Sequence, residues 1–118
     1  MSNQIFKIKR NDTLPVLQLN IVARGSLGQK MDYNLSGVSS ITFSMADNCD
    51  NLKVHQQSAQ TVCSSEGIIQ YVWQDGDTDT SGTYQGEFEL TYATGQRMSL
   101  PQMGSIKIEI FDDINSFD

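Results

Sequence analysis

The segment from Gly67 to Tyr92, GIIQYVWQDGDTDTSGTYQGEFELTY, constrains the fold of this chain more than any other. Apolar side chains recur at every second position on both sides of a central loop, which is the period of a half-buried β-strand. The inward positions are Ile69, Tyr71 and Trp73 before the loop, and Tyr84, Phe88, Leu90 and Tyr92 after it. This pattern predicts two strands of a β-sheet core.

The loop between these two strands has the sequence QDGDTDTSG. Asp, Thr and Ser side chains accept or donate hydrogen bonds to nearby backbone, and Gly allows positive φ angles. We therefore expect the chain to reverse or to cross to another sheet here.

Similar alternation along the rest of the chain predicts further strands, and no segment has a sustained helical period. Turn residues separate the strands, for example Asn11–Thr13 and Thr94–Gly95. Further inward residues are expected at Phe6, Ile8, Leu17, Leu19, Ile21, Ala23, Met31, Tyr33, Leu35, Ile41, Phe43, Met45, Leu52, Val54, Ala59, Val62, Ile106, Ile108 and Ile110. About eight short antiparallel strands at this spacing predict an all-β, immunoglobulin-like sandwich.

A tyrosine corner supports the immunoglobulin-like interpretation. In Asp79–Tyr84 (DTSGTY), Gly82 precedes a tyrosine at the start of a late strand, whose hydroxyl would bond to upstream backbone. Trp73 would be the core tryptophan. Gly86 stands where an antibody domain carries its second cysteine, so an immunoglobulin domain proper is not expected.

Length and charge indicate one domain, residues 1–118, with 14 acidic against 8 basic residues and a formal net charge of −6. Such a chain repels phosphate backbones, so we expect no nucleic-acid binding. Lys7, Lys9 and Arg10 alternate with apolar residues and are interpreted as the solvent face of the first strand. No charged-then-apolar leader is visible, and no apolar run approaches the ~20 residues of a membrane span, so no membrane association is expected.

Residues that could perform chemistry are few. Asp75, Asp77 and Asp79 resemble the opening of a calcium loop, but Thr80 replaces the turn glycine, so a solvated turn is favoured over an ion site. His55 is the only histidine, and two alternatives are open for Cys49 and Cys63, a disulfide or two free thiols. These residues complete neither a catalytic triad nor a four-ligand zinc shell. We expect a non-enzymatic protein with no cofactor.

Several side chains are candidates for contacts with other proteins. Met98 and Met103 flank Leu100-Pro101, where flexible thioethers suit an adaptable surface. Residues 112–118 form an acidic tail whose apolar members, Ile114 and Phe117, are expected to dock on a partner. Trp73 and the tyrosines could instead form a sugar-stacking platform, although their alternation favours core packing.

Five segments, taken in order, resemble the amino-terminal domain of the phage baseplate upper protein family. They are FKIKRNDTLPVL (6–17), YNLSGVSSITFSM (33–45), GIIQYVWQDGDT (67–78), SGTYQGEFELTYATGQ (81–96) and LPQMGSIKIEI (100–110). The resemblance implies a virion protein assembled in the bacterial host cytoplasm. It implies a baseplate or tail adaptor that docks neighbouring virion subunits, in multiple copies or as a homo-oligomer. The alternatives are a capsid decoration or head-fibre-base protein, a carbohydrate-binding module and an immunoglobulin-like adhesion domain.

Overall fold

The protein consists of β-strands joined by turns and loops. The computed structural model of the 118-residue chain describes residues 5–24, 30–32, 35–101 and 104–112. For residues 22–24 and 30–32 it describes the backbone alone. Eleven strands occur in these ranges: β1 (Ile5–Lys9), β2 (Leu17–Asn20), β3 (Val22–Arg24), β4 (Lys30–Asp32), β5 (Val38–Asp47), β6 (Leu52–Ser58), β7 (Gln60–Cys63), β8 (Ile68–Tyr71), β9 (Gly82–Tyr92), β10 (Arg97–Leu100) and β11 (Ile106–Phe111).

The strands form two facing sheets and a separate hairpin. The large sheet has six strands in the order β1-β11-β9-β5-β6, with β10 also paired to β9. The small sheet has the order β2-β8-β7, and β3 pairs with β4. One continuous cluster of buried side chains, drawn from both sheets, forms the core.

Strand β9 organises the large sheet because it is long enough to have two partners along one edge. Its first half pairs with β11, where Ile108 lies opposite Tyr84, and its second half pairs with β10, where Met98 lies opposite Leu90. The whole of its other edge pairs with β5. The alternation that predicted this strand from the sequence therefore covers the centre of the sheet.

Aromatic rings connect the two sheets. The ring of Phe43 on β5 stacks on Tyr71 of β8, with centroids 4.7 Å apart, and meets Trp73 edge-on at 5.8 Å. Phe43 also lies 5.0 Å from the ring of Phe88 on β9. Such pairs contribute about 0.5–1.5 kcal/mol each beyond the burial of their area. The rings therefore fix how the small sheet sits on the large one.

The prediction of an all-β sandwich is confirmed, and the buried faces of β2, β5, β8, β9 and β11 are those that the alternation predicted. The strands number eleven in the described ranges, against about eight expected, and the predicted segment with Leu17, Leu19, Ile21 and Ala23 is divided between β2 and β3. They are also not all antiparallel, because β1 pairs with β11 in parallel. Local patterning carries no information about which distant strand becomes a neighbour.

Among the described side chains, two that were predicted to point inward do not, and both lie in irregular strands. Ala23, Met31 and Tyr33, also predicted to point inward, lie outside the described side chains. Met45 pairs with Val54 but Ala46 pairs with Leu52, so one residue of β6 is extra and Leu52 turns to the outer face, where it is 57% exposed. A register shift in β7 accompanies the 46% exposure of Val62. A bulge moves all side chains beyond it to the other face.

The loop between β8 and β9 crosses from the small sheet to the large one, as its composition allowed. Thr78, a buried residue of this loop, donates its hydroxyl to the carbonyl of Asp12 at 2.8 Å. The carbonyl of Thr78 accepts a 2.9 Å hydrogen bond from the amide of Asn11. The loop thereby holds the turn that follows β1.

Candidate docking surface at the end of β1 and β11

Two of the three loop aspartates, Asp77 and Asp79, are held by protein groups rather than gathered around a common point, and Asp75 is exposed. Asp77 accepts hydrogen bonds from the Tyr71 hydroxyl at 2.5 Å and from the amide of Gln74 at 2.8 Å. Asp79 is bound by the ammonium group of Lys53 and by the hydroxyl of Thr80. Within the described ranges, no three His, Cys, Asp or Glu side chains are placed to hold a metal ion.

These contacts shift the ionisation of their members. The hydrogen bond from Lys53, with a second from Thr80, lowers the pKa of Asp79. Backbone amides of Asn51 and Cys49 lower the pKa of Asp47 in the turn after β5. Burial, followed by the hydrogen bond to Asp77, raises the pKa of Tyr71 above its usual range. The carboxylates therefore act as caps and ion-pair partners that fix turns.

The other candidates for chemistry are dispersed. His55 is exposed on β6, an edge strand of the large sheet. Cys49 is an exposed free thiol in the turn after β5, and Cys63 is a free thiol on β7 whose sulfur lies 3.6 Å from the Ser65 hydroxyl. The structure therefore answers the open question of pairing in favour of two free thiols.

Three of the aromatic side chains considered as a sugar platform are buried, Tyr92 is half-buried, and Tyr33 lies outside the described residues. Tyr71 is 1% exposed, Trp73 2% and Tyr84 5%. The indole N–H of Trp73 has no hydrogen-bond partner within the described part of the chain. Rings packed this deeply offer no face to a sugar.

The tyrosine corner is present. The Tyr84 hydroxyl donates a 2.8 Å hydrogen bond to the carbonyl of Thr80, four residues upstream, as the sequence layout predicts. Gly82 has φ of 147°, and a β-carbon added there would lie 3.7 Å from the Tyr84 ring. Gly86, in place of a cysteine, lies where a β-carbon would come within 2.9 Å of Phe43 and 2.7 Å of Ile108. The sandwich closes tightly at this point without a disulfide.

The residues predicted to contact partners are only partly within the described ranges. Met98 is partly buried and packs against the core, so it serves the fold more than a surface. Met103, Ile114 and Phe117 lie outside the described residues.

A surface that the sequence did not indicate lies where β1 and β11 end. These strands are parallel, so Lys9 and Phe111 are neighbours at the same end of the large sheet. The chain then turns, with Asp12 donating its amide to the Lys9 carbonyl, and Leu14 and Pro15 come to lie beside them. The resulting corner groove is lined by Lys7, Ile8, Lys9, Asp12, Leu14, Pro15 and Phe111.

The corner groove exposes apolar groups beside cations. Leu14 is 69% exposed and Phe111 46%, although both are large and apolar. Neither Lys7 nor Lys9 has an ion-pair partner among the residues that the structure describes. Clustered apolar groups rimmed by polar ones are typical of a protein interaction site.

An open sheet edge adjoins the corner groove. Strand β1 is the last strand of the large sheet on this side. The amide of Arg10 bonds to the carbonyl of Phe111, so in a parallel ladder the backbone groups of alternate residues, including Lys7, point away from β11. The opposite edge strand, β6, is interrupted by two register shifts, as edges protected against pairing often are. The regular edge is therefore the one beside the groove.

No helix with the length and apolar character of a membrane span occurs in the described part of the chain. A depression on the large sheet around Gly86 has a mixed lining, which consists of Ser44, Met45, Ala46, Leu52, Gln85, Glu87 and Ser105.

Comparison with known proteins bears on the fold alone. No family model matches the sequence, and no curated protein does. The crystal structure of CopC from Methylosinus trichosporium OB3b is similar, with a TM-score of 0.52 and 12% sequence identity. The alignment covers 94% of this chain and 86% of that one. At this identity the likeness shows a shared architecture, and the chain is thus an all-β sandwich similar in fold to that protein.

Proposed function

We propose that this protein is a non-enzymatic structural subunit of a phage particle, a baseplate or tail adaptor that docks neighbouring subunits. In this proposal it works in the virion and is assembled in the bacterial host cytoplasm. The observation that carries the proposal is the corner groove, in which Leu14 and Phe111 remain exposed beside the open edge of β1.

The chemistry of that corner supports a docking role. Covering a large apolar side chain contributes about 1.5–3 kcal/mol when burial is complete, and two such groups are available side by side. An open strand edge adds main-chain hydrogen bonds to an incoming extended segment. A subunit that only occupied volume in the particle would need neither the exposed apolar pair nor the open strand edge.

The virion context is supported by the sequence. Five ordered segments resemble the baseplate upper protein family, and they contain most of five of the nine strands in the two sheets, β1, β5, β8, β9 and β11. The residues that line the corner groove come largely from the first of these segments, 6–17. One of the five segments therefore supplies six of the seven residues that line the corner groove, and Phe111 supplies the seventh.

A carbohydrate-binding module is the alternative from another class, and the burial of Tyr71, Trp73 and Tyr84 speaks against it. A position on the capsid, as a decoration or head-fibre-base protein, would use the same corner with different neighbours.

Electron microscopy of purified particles with a gold-labelled antibody against this chain tests the proposal. Label at the tail end is the expected result. Label over the head would overturn the adaptor assignment in favour of decoration, and permeabilised particles without label would overturn the virion role. Particles carrying Leu14→Asp and Phe111→Asp should lose the label, whereas particles carrying Leu52→Asp and Val62→Asp, at exposed sites elsewhere, should retain it.

A further inference from the structure

The corner groove has a chemical character that selects one kind of occupant. Its floor and walls include the exposed apolar groups Leu14 and Phe111, and its charged members are Lys7, Lys9 and Asp12. Two cations against one carboxylate favour an acidic ligand, in a protein whose formal net charge is −6. The fitting ligand is an extended acidic peptide with apolar side chains.

The chain itself contains such a peptide. Residues 113–118 read Asp-Ile-Asn-Ser-Phe-Asp, with Ile114 and Phe117 between two terminal carboxylates. Two apolar groups in the segment match two apolar groups in the groove, and two acids match two lysines. Fully extended, six residues span roughly 20 Å, enough to cross a corner of a small domain.

The direction of β11 favours binding of residues 113–118 from another molecule over binding of the chain's own residues 113–118 in the corner groove. Strand β11 runs parallel to β1 and leads out of the sheet at Phe111, and Asp112 then lies with its carboxylate 4.0 Å from Nε of Arg10. The groove lies behind this point, alongside β1 and the 12–15 turn. To run along it, the same chain would have to reverse its direction within the few residues that follow Asp112, whereas a segment from another molecule needs no such reversal.

We propose that residues 113–118 of one copy bind in the corner groove of a second copy. The inference rests on the proposed function, since it names the neighbouring subunit as this same chain. Ile114 and Phe117 cover Leu14 and Phe111, and the acidic residues Asp113 and Asp118 approach Lys9 and Lys7. Two copies related by a two-fold axis each donate a segment and each receive one, so the contact is made twice.

Sedimentation velocity of the purified full-length chain tests this inference with three double variants. Leu14→Ser with Phe111→Ser removes the apolar groups of the groove, and Ile114→Ser with Phe117→Ser removes those of the segment. Leu52→Ser with Val62→Ser is the matched control, at apolar residues exposed elsewhere. Because the groove and control residues are exposed, these variants should keep the Trp73 fluorescence of the parent.

The parent and the control should self-associate, and the groove and segment variants should bind at least about tenfold more weakly. An equimolar mixture of the groove and segment variants should associate again, since one intact groove then meets one intact segment. Raising the salt concentration from about 0.05 to 0.5 M should weaken association several-fold, because exposed ion pairs are screened.

A parent chain that is monomeric at every concentration would overturn the inference, as would a mixture that fails to associate although both variants are folded. These results are separable from those on particles. Labelled tails with a monomeric chain would leave the proposed function standing and remove the second copy as partner. A chain that self-associates but is absent from particles would leave the second copy standing as partner and remove the proposed function.

Discussion

The hydroxyl of Tyr84 and the carbonyl of Thr80 lie 2.8 Å apart, so the first inward residue of β9 is tied to the loop that precedes its strand. Tyr84→Phe keeps the ring in the core and removes only this hydrogen bond. We expect the free energy of unfolding to fall by about 1 kcal/mol. Urea unfolding followed by the fluorescence of Trp73, the single tryptophan, measures the change.

Gln85→Ala, at the next and exposed position of β9, is the control for Tyr84→Phe and should change the free energy of unfolding by less than about 0.5 kcal/mol. Equal losses in the two variants would mean that the tyrosine corner does not stabilise this sandwich.

Gly86 is needed for close packing and not for an unusual backbone angle. A β-carbon there would lie 2.7 Å from Cδ1 of Ile108 and 2.9 Å from the ring of Phe43. Gly86→Ala should therefore cost about 1–3 kcal/mol through overpacking. At Gly37 the nearest atom would be 3.5 Å away, in Tyr92, so Gly37→Ala should be neutral or slightly stabilising. Thermal unfolding of both variants measures these changes in stability. A Gly86→Ala variant as stable as the parent would contradict the close packing at Gly86.

Alkaline pH should unfold the protein in part through Tyr71. Burial and the carboxylate of Asp77 raise the pKa of Tyr71, and burial raises that of Tyr84. Between the unfolded pKa, near 10, and the higher folded values, the native state holds more protons than the unfolded state. The stabilisation is therefore complete below about pH 10 and is lost as the pH rises above it.

Urea unfolding of the parent and of Tyr71→Phe at a series of pH values from about 8 to 11.5 measures this effect. The variant should be less stable at neutral pH, since it lacks the hydrogen bond to Asp77, but its stability should fall less steeply above pH 10. Parallel curves would show that Tyr71 does not contribute to the alkaline transition.

A second bulge in β6, between the residues paired with Phe43 and Met45, contains Gln56 at a φ of 48°, in the left-handed region that glycine adopts without strain. Gln56→Gly should therefore be neutral or stabilising by up to about 1 kcal/mol. Gln57→Gly, at the adjacent position paired with Phe43, should destabilise by about 0.5–1 kcal/mol. Chemical denaturation of the two variants provides the comparison, and the opposite order of stabilities would place the bulge elsewhere.

The elements that the sequence predicted well are those whose side chains alternate without interruption. Ile41, Phe43 and Met45 on β5 and the three isoleucines of β11 are buried as expected. Leu52 was misplaced because a bulge is a property of two paired strands, and one strand's sequence does not show it. For the same reason the parallel pairing of β1 with β11 could not be read from either strand alone.

The candidate docking surface was missed for a related reason. An isolated exposed leucine or phenylalanine is ordinary, so neither Leu14 nor Phe111 stood out in the sequence. Only the pairing of β1 with β11 brings them together at one corner. The prediction that Lys7 and Lys9 lie on a solvent face is confirmed. They form the rim of the corner groove only because β11 places Phe111 beside β1.

The pairing of Ile5 with Lys107 joins the first and last described strands of the chain. During synthesis, β1 emerges early and then has no partner until β11 has left the ribosome, when nearly all of the remaining sheet can already be paired. Strand β1 is thus the last to be paired, and it lies at the edge of the large sheet with β11 as its one neighbour there. The corner that we propose for docking is therefore completed only when synthesis of the domain is, so immature chains would be unable to enter an assembly.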